Sequence, residues 1–200
     1  MEREYNVKDV GMCVLLLVFL FLNACATIKT DPNITVISAS EKKIPVRAGY
    51  YVNPYLCKWI AVPLGDTKGT RVGETLCNGI DSLMQAAFVG AIKLPSLDKL
   101  ESENVQLIII PEIIESSDIS IYRPYWSLSG KCNSVVKLKW LVQDKEKNIL
   151  FVQTITGKAE GYGPFDFRPI LYKGIQDHFQ KVLETFMALN WDQMLEDQSK

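Results

Sequence analysis

His178 is the single histidine of this 200-residue chain, and its surroundings in sequence offer it no catalytic company. The five cysteines, Cys13, Cys25, Cys57, Cys77 and Cys132, follow no metal-ligand spacing, so no bound metal is expected. Covalent catalysis needs a nucleophile beside a base, and acid–base catalysis a pair of carboxylates with separated acidities. Glu112, Glu115, Asp118 and Glu160 are carboxylates of the right type, yet none sits in a recognisable motif. Solvated strand ends and turns account for them. Gly65, Gly69 and Gly73 border a strand-to-helix turn, but they form neither Gly-x-Gly-x-x-Gly nor a loop ending in Gly-Lys-Ser/Thr. No catalytic residue and no cofactor is assigned, and the chain reads as something other than an enzyme.

Chemistry of a different kind is written near the N-terminus. Val14–Leu22 is a run of nine apolar residues, about 13 Å long as a helix, against a hydrocarbon core about 30 Å thick. Too short to span, it reads as the apolar region of a signal peptide. Leu22-Asn23-Ala24-Cys25 follows at once and resembles the bacterial lipobox, in which the cysteine is lipidated and becomes residue one. An ordinary secretory signal and an uncleaved anchor are the alternatives. The head of the segment departs from the usual net positive charge, because Glu2, Glu4 and Asp9 offset Arg3 and Lys8. By the resemblance Cys25 carries three acyl chains, and two or more chains hold a protein stably on a membrane. Ala26 follows where an aspartate would favour the inner membrane of enteric bacteria, so an outer-membrane anchor facing the periplasm is implied.

The expected organisation is a signal peptide over 1–24, a lipidated tether over 25–40, one domain over 41–190 and an acidic tail over 191–200. Of the 22 basic and 23 acidic residues, the signal carries two and three, which leaves 20 of each sign. A neutral mature chain has no electrostatic basis for binding nucleic acid. Cys57, Cys77 and Cys132 permit one disulfide and one leftover thiol in an oxidising compartment, or three buried small side chains, and the sequence does not choose.

Hydrophobic period supplies the elements that must position these residues. Ile34–Ser38 reads as a short strand and Cys57–Pro63 as the first convincing one. Thr70 is placed as the cap of a helix carrying Val72, Leu76, Ile80, Leu83 and Ala87 on one face and ending near Gly90. Val105–Ile114 is β-branched and reads as a buried strand, with Pro111 at a bulge or an unpaired edge position. Ser134–Val142 alternates, Asp144–Asn148 turns, and Ile149–Lys158 returns as a hairpin. Leu171, Ile175, His178, Phe179, Val182, Phe186 and Leu189 form the stripe of a last helix, with His178 as a core-edge imidazole satisfied by a hydrogen bond. The expected fold is α+β, a mainly antiparallel sheet with two amphipathic helices packed on one face as a two-layer sandwich.

This layout resembles the small bacterial envelope lipoproteins of the YajG and LptE-like type, with LpoB and transporter-associated lipoproteins as looser relatives. The matching residues are Ile60-Ala-Val-Pro63, Val72-Gly-Glu-Thr-Leu76, Val105-Gln-Leu-Ile108 and the hairpin at 134–158. The resemblance implies a non-enzymatic accessory that binds or positions another envelope component. The alternatives are a lipid or small-molecule carrier and, further off, an envelope hydrolase using acidic residues.

Two stretches have the composition of interface hot spots. Tyr122, Arg123, Tyr125 and Trp126 flank Pro124, and Phe165 and Phe167 repeat the chemistry before the last helix. Both are assigned as candidate partner-binding residues, against the alternative that the rings cap the core. Lys137 and Lys139 share one strand face, which reads as solvated in preference to docked on anionic lipid. The anchor is directly testable: Cys25→Ser should leave an unprocessed precursor that takes up no labelled fatty acid, and equal labelling of both forms would remove the lipid assignment.

Overall fold

The computed structural model describes residues 43–61, 70–97, 104–115, 118–122, 131–162 and 168–196. The signal segment, Cys25, the tether, the strand expected at Ile34–Ser38, Arg123, Tyr125, Trp126, Phe165 and Phe167 lie outside them, as does the side chain of Tyr122.

Eight strands and four helices are found among these residues, in the order β1 (Ile44–Tyr50), α1 (Pro54–Cys57), β2 (Ile60–Ala61), β3 (Thr70–Arg71), α2 (Gly73–Ala87), β4 (Phe88–Lys93), β5 (Leu107–Glu112), β6 (Ile119–Tyr122), β7 (Lys131–Gln143), β8 (Ile149–Tyr162), α3 (Arg168–Ala188) and α4 (Trp191–Glu196). The fold is α+β, as expected, but the sheet is mixed and not mainly antiparallel. β1 runs parallel to both β4 and β5, whereas β7 is antiparallel to β5, β6 and β8. The cause is a β1–α2–β4 crossover: α2 carries the chain back so that β4 enters beside β1 in the same direction. β2 and β3 form a separate two-stranded ribbon.

Several sequence expectations shift for local reasons. Of the strand expected at Cys57–Pro63, the described residues hold Ile60–Ala61, and its start is lost because Asn53 and Pro54 begin a helical turn that uses Cys57. The Asn53 carboxamide oxygen accepts the Tyr55 N–H at 3.0 Å, a side-chain cap. Thr70 belongs to β3, and the residue that precedes α2 is Val72, with no side-chain cap. The acidic tail expected from residue 191 begins in ordered structure. Trp191 opens α4, is 6% exposed and donates its indole N–H to Phe186 O at 2.8 Å, so the packed domain continues past 190.

The long hairpin is as expected, with thirteen residues in β7 and fourteen in β8. Its turn is held by Asp144, whose carboxylate accepts from the backbone and side chain of Asn148 at 2.7 and 2.8 Å. Even-numbered β7 residues from Cys132 to Val142 are buried, and most of them join Leu107, Ile109, α2 and α3 in one core. Helix α3 lies close on the hairpin because a glycine stands on each side. A Cβ on Gly157 of β8 would meet Gly174 O and the His178 backbone, and one on Gly174 would meet Ser134 Oγ. Ser134 in turn donates to Ile170 O at 2.8 Å. Phe179 then fills the space over Gly79 of α2.

His178 is wholly buried, deeper than the core edge expected for it. Its Nε2 accepts the Trp140 indole N–H at 3.2 Å, and the two rings stack at 6.0 Å. The proton of the neutral ring therefore sits on Nδ1, which has no hydrogen-bond partner among the described residues. Burial pushes the His178 pKa down to about 4, against the opposing pull of the Ile155 and Val136 carbonyls and of Asp177.

Two measurements follow from this core. Phe179 and Phe186 are both fully buried, so truncating either to alanine should cost about 3–5 kcal/mol in chemical unfolding. A loss under about 1 kcal/mol would contradict the packing. Between pH 6.5 and about 4 the unfolded chain protonates position 178 while the folded chain does not, so stability falls as pH falls across that window. The full effect is roughly 3 kcal/mol, and it should vanish from the pH profile of His178→Gln.

Candidate functional site

A concavity among the described residues opens where β1 stops short of β5. β1 pairs with β5 only at Ala48–Tyr50 against Leu107–Ile109, and Tyr51 N–H closes the ladder on Ile109 O at 3.0 Å. Backbone direction alternates along a strand, so Pro111 presents its nitrogen to the same side as Ile109, beyond the last residue of β1. No donor is missed there, and its other side pairs normally with Trp140 of β7. This is the unpaired position expected for Pro111.

The space left over is a groove of about 480 Å³, inside the range of small-molecule sites. Tyr51, Tyr55, Leu56 and Trp59 form one wall, and Ile110, Pro111, Ile113 and Ile114 the other. Tyr55 is 78% exposed and Ile114 55%, a large apolar rim for a described surface. At one end stand Glu112 and Lys139, paired at 3.0 Å. The indole N–H of Trp59 is buried and finds no acceptor among the described residues.

Both walls are held by specific chemistry. The aromatic wall belongs to α1 and the turn after it, which are fixed to the start of α2. Cys57 and Cys77 form a disulfide with Cα atoms 5.5 Å apart, closing a 20-residue separation. In the chain-entropy account a loop of this size contributes about 3 kcal/mol. Trp59 O accepts from both Val72 N–H and Gly73 N–H at 3.1 and 3.0 Å. Gly73 lies so close to Leu56, Cys57 and Trp59 that a Cβ has no room. Cys132 is buried and lies outside the disulfide.

The other wall ends in a wide bulge. Glu112 pairs with Lys139 and Ile119 with Val136, so one strand advances seven residues while β7 advances three. In between, Ile113 and Ile114 leave the ladder and line the groove. Asp118 ties the loop: its Oδ2 accepts Ile114 N–H and Glu115 N–H, both at 2.8 Å, and its Oδ1 meets Lys137 at 3.2 Å. Burial raises the carboxyl pKa, but those two backbone donors and Lys137 outweigh it and hold the group below the usual carboxylate range.

The candidate carboxylates are therefore not gathered. Asp118 is a structural tie, Glu112 pairs with Lys139, and Glu160 pairs with Lys131 at 3.2 Å. Lys137 and Lys139 are each paired with a carboxylate while their side chains stay 38% and 33% exposed, as a solvated face would have them. No group of three metal-ligating side chains occurs among the described residues. Of the residues expected to bind a partner, Tyr122 ends β6, and the remaining five lie outside the described residues. The groove itself was missed at the sequence level; the aromatic content of Gly49–Tyr55 was its only local signal.

No family model and no curated protein sequence matches this chain. Several solved structures align with much of the chain at low identity. A Xanthomonas campestris protein described by the family model DUF330 is 8% identical, with a TM-score of 0.45 over 78% of this chain and 89% of its own. The PelC dodecamer of Paraburkholderia phytofirmans is 14% identical at TM-score 0.40, over 77% and 96% of the two chains. An uncharacterized lipoprotein B from Nitrosomonas europaea is 14% identical at TM-score 0.39, over 76% and 90%. Likeness at this level bears on neither ligand nor partner.

Proposed function

We propose that the chain is a lipid-anchored protein of the bacterial cell envelope, held through Cys25, whose domain is a non-enzymatic binding module. Its contact surface is the aromatic-walled groove between α1 and the β5 bulge. The support for the anchor is the lipobox-like Leu22–Cys25 behind a short apolar segment. An outer-membrane position facing the periplasm fits Ala26 after the cysteine, and the disulfide suits an oxidising compartment. The resemblance to the YajG and LptE-like lipoproteins belongs to this reading, as does a two-layer packing of both long helices on one sheet face.

The observation that carries the binding role is the groove. Rigid rings and an exposed isoleucine surround a space that the fold leaves unfilled, and a disulfide holds one wall in place. A hydrolase fits less well, because Asp118, Glu112 and Glu160 already have lysine partners and His178 is sealed inside the core. The volume of about 480 Å³ favours one second reading, a carrier of a small apolar molecule.

A photo-crosslinking residue at Ile114 in living cells tests the role, with Val89, 67% exposed on β4, as control. The binding module should give a discrete protein adduct from position 114 and none from 89. An adduct of lipid mass would favour the carrier. No adduct from 114, or equal adducts from both, would refute the groove as the contact surface.

A further inference from the structure

The six-stranded sheet runs β4-β1-β5-β7-β6 with β8 also paired to β7, so β4 and β8 each carry a free edge. Free backbone groups on such edges are templates for pairing with another chain, and helix side chains close part of each. Gln85 of α2 donates to Ala91 O on β4 at 3.2 Å. On β8, Asp177 of α3 accepts the Lys158 N–H at 2.8 Å, and Lys181 donates to Thr156 O at 3.2 Å. Asp177 and Lys181 also pair with each other at 2.7 Å.

Those contacts reveal which backbone groups of β8 point away from β7. The register against β7 is unbroken from Phe151 to Tyr162, so the N–H and C=O groups alternate sides throughout. Thr156 and Lys158 point outward, and Val152 and Thr154 must do the same. No described side chain reaches those two. Val152 is 52% exposed, and Gln153 and Thr154 are exposed beside it. The stretch Ile149–Ile155 contains no charge, no proline and no glycine, the composition of a strand that pairs readily.

We infer that residues 151–155 of β8 pair antiparallel with the same residues of a second copy of the chain, about a two-fold axis at Gln153. In this register Val152 of each copy lies opposite Thr154 of the other. The outward N–H and C=O groups of both residues are then all satisfied, by four hydrogen bonds across the axis. Self-pairing opposes no like charges, because the stretch has none. Beyond Ile155 the Asp177–Lys181 pair occupies the edge, and on the other side the register against β7 shifts between Val142 and Gln143. The open segment is thus as long as the self-pairing ladder needs and no longer. The inference is independent of the groove.

So short a ladder holds weakly, and a covalent trap reads it better than sizing does. Opposed Gln153 residues would form a non-hydrogen-bonded pair with Cα atoms about 4.5 Å apart, within disulfide range. In the full-length chain on its membrane, Gln153→Cys should give a disulfide dimer under mild oxidation, at least tenfold more than Val152→Cys or the wild type. Adding Thr154→Pro removes an outward N–H without touching the β7 ladder, so it should abolish the dimer and leave the melting temperature near that of Gln153→Cys alone. Val152→Lys, which brings two lysines near the axis, should abolish it as well. A monomeric Gln153→Cys, a dimer indifferent to both second changes, or a crosslink to a different protein would overturn the inference.

Discussion

The close approach of α3 to the β7–β8 hairpin is the contact on which the rest depends. It exists because Gly157 and Gly174 present no Cβ and because Ser134 returns a hydrogen bond to Ile170 O. With the helix that near, His178 and Phe179 reach the sheet, Phe186 meets Trp140 edge-on at 5.6 Å, and Trp191 closes on Phe88 at 5.4 Å. A buried imidazole would ordinarily be a liability. Here the Trp140 indole fixes its tautomer, and burial keeps it neutral, so it serves packing and carries no charge at neutral pH.

That core also explains where function is left room. The large side chains of α2, α3 and the hairpin are drawn into one shared core. A second, smaller cluster of Leu94, Ile108 and Ile110 is joined by Tyr51, Leu97 and Leu141 at the margin of the groove. β1 ends early, Pro111 needs no partner on that side, and Ile113 and Ile114 leave the ladder to line the groove. The disulfide and Gly73 hold the aromatic wall opposite. A pre-formed cleft with rigid rings lowers the ordering cost of binding, which is the reason the groove, and not the ion-paired strand face, is proposed as the contact surface.

Much of this was legible in the residues. The hairpin and α3 announced themselves through strict alternation and three- and four-residue steps, because packing on one face forces those periods. Pro111 predicted an unpaired position and has one. The parallel strands were hidden. β1 contains Pro45 and Arg47 in an otherwise buried run, and β4 starts at Phe88 with no turn residue after the helix, so neither shows a boundary. The disulfide pair could not be chosen among three cysteines, since only the docking of α1 on α2 brings Cys57 to Cys77. The groove draws its walls from residues some fifty positions apart, and α4 rests on one tryptophan in an acidic stretch. Long-range contacts of this sort leave no periodic trace.

The central claim is that a domain anchored at Cys25 meets its partner through the groove. Hydrogen exchange measured on the full chain in native envelopes and again after purification in detergent tests it most directly. The account predicts slower exchange in the envelope over 53–59 and 110–114, with the amides of α3 and β7 unchanged. Equal exchange at those two segments in both states, or protection that appears only elsewhere, would contradict it.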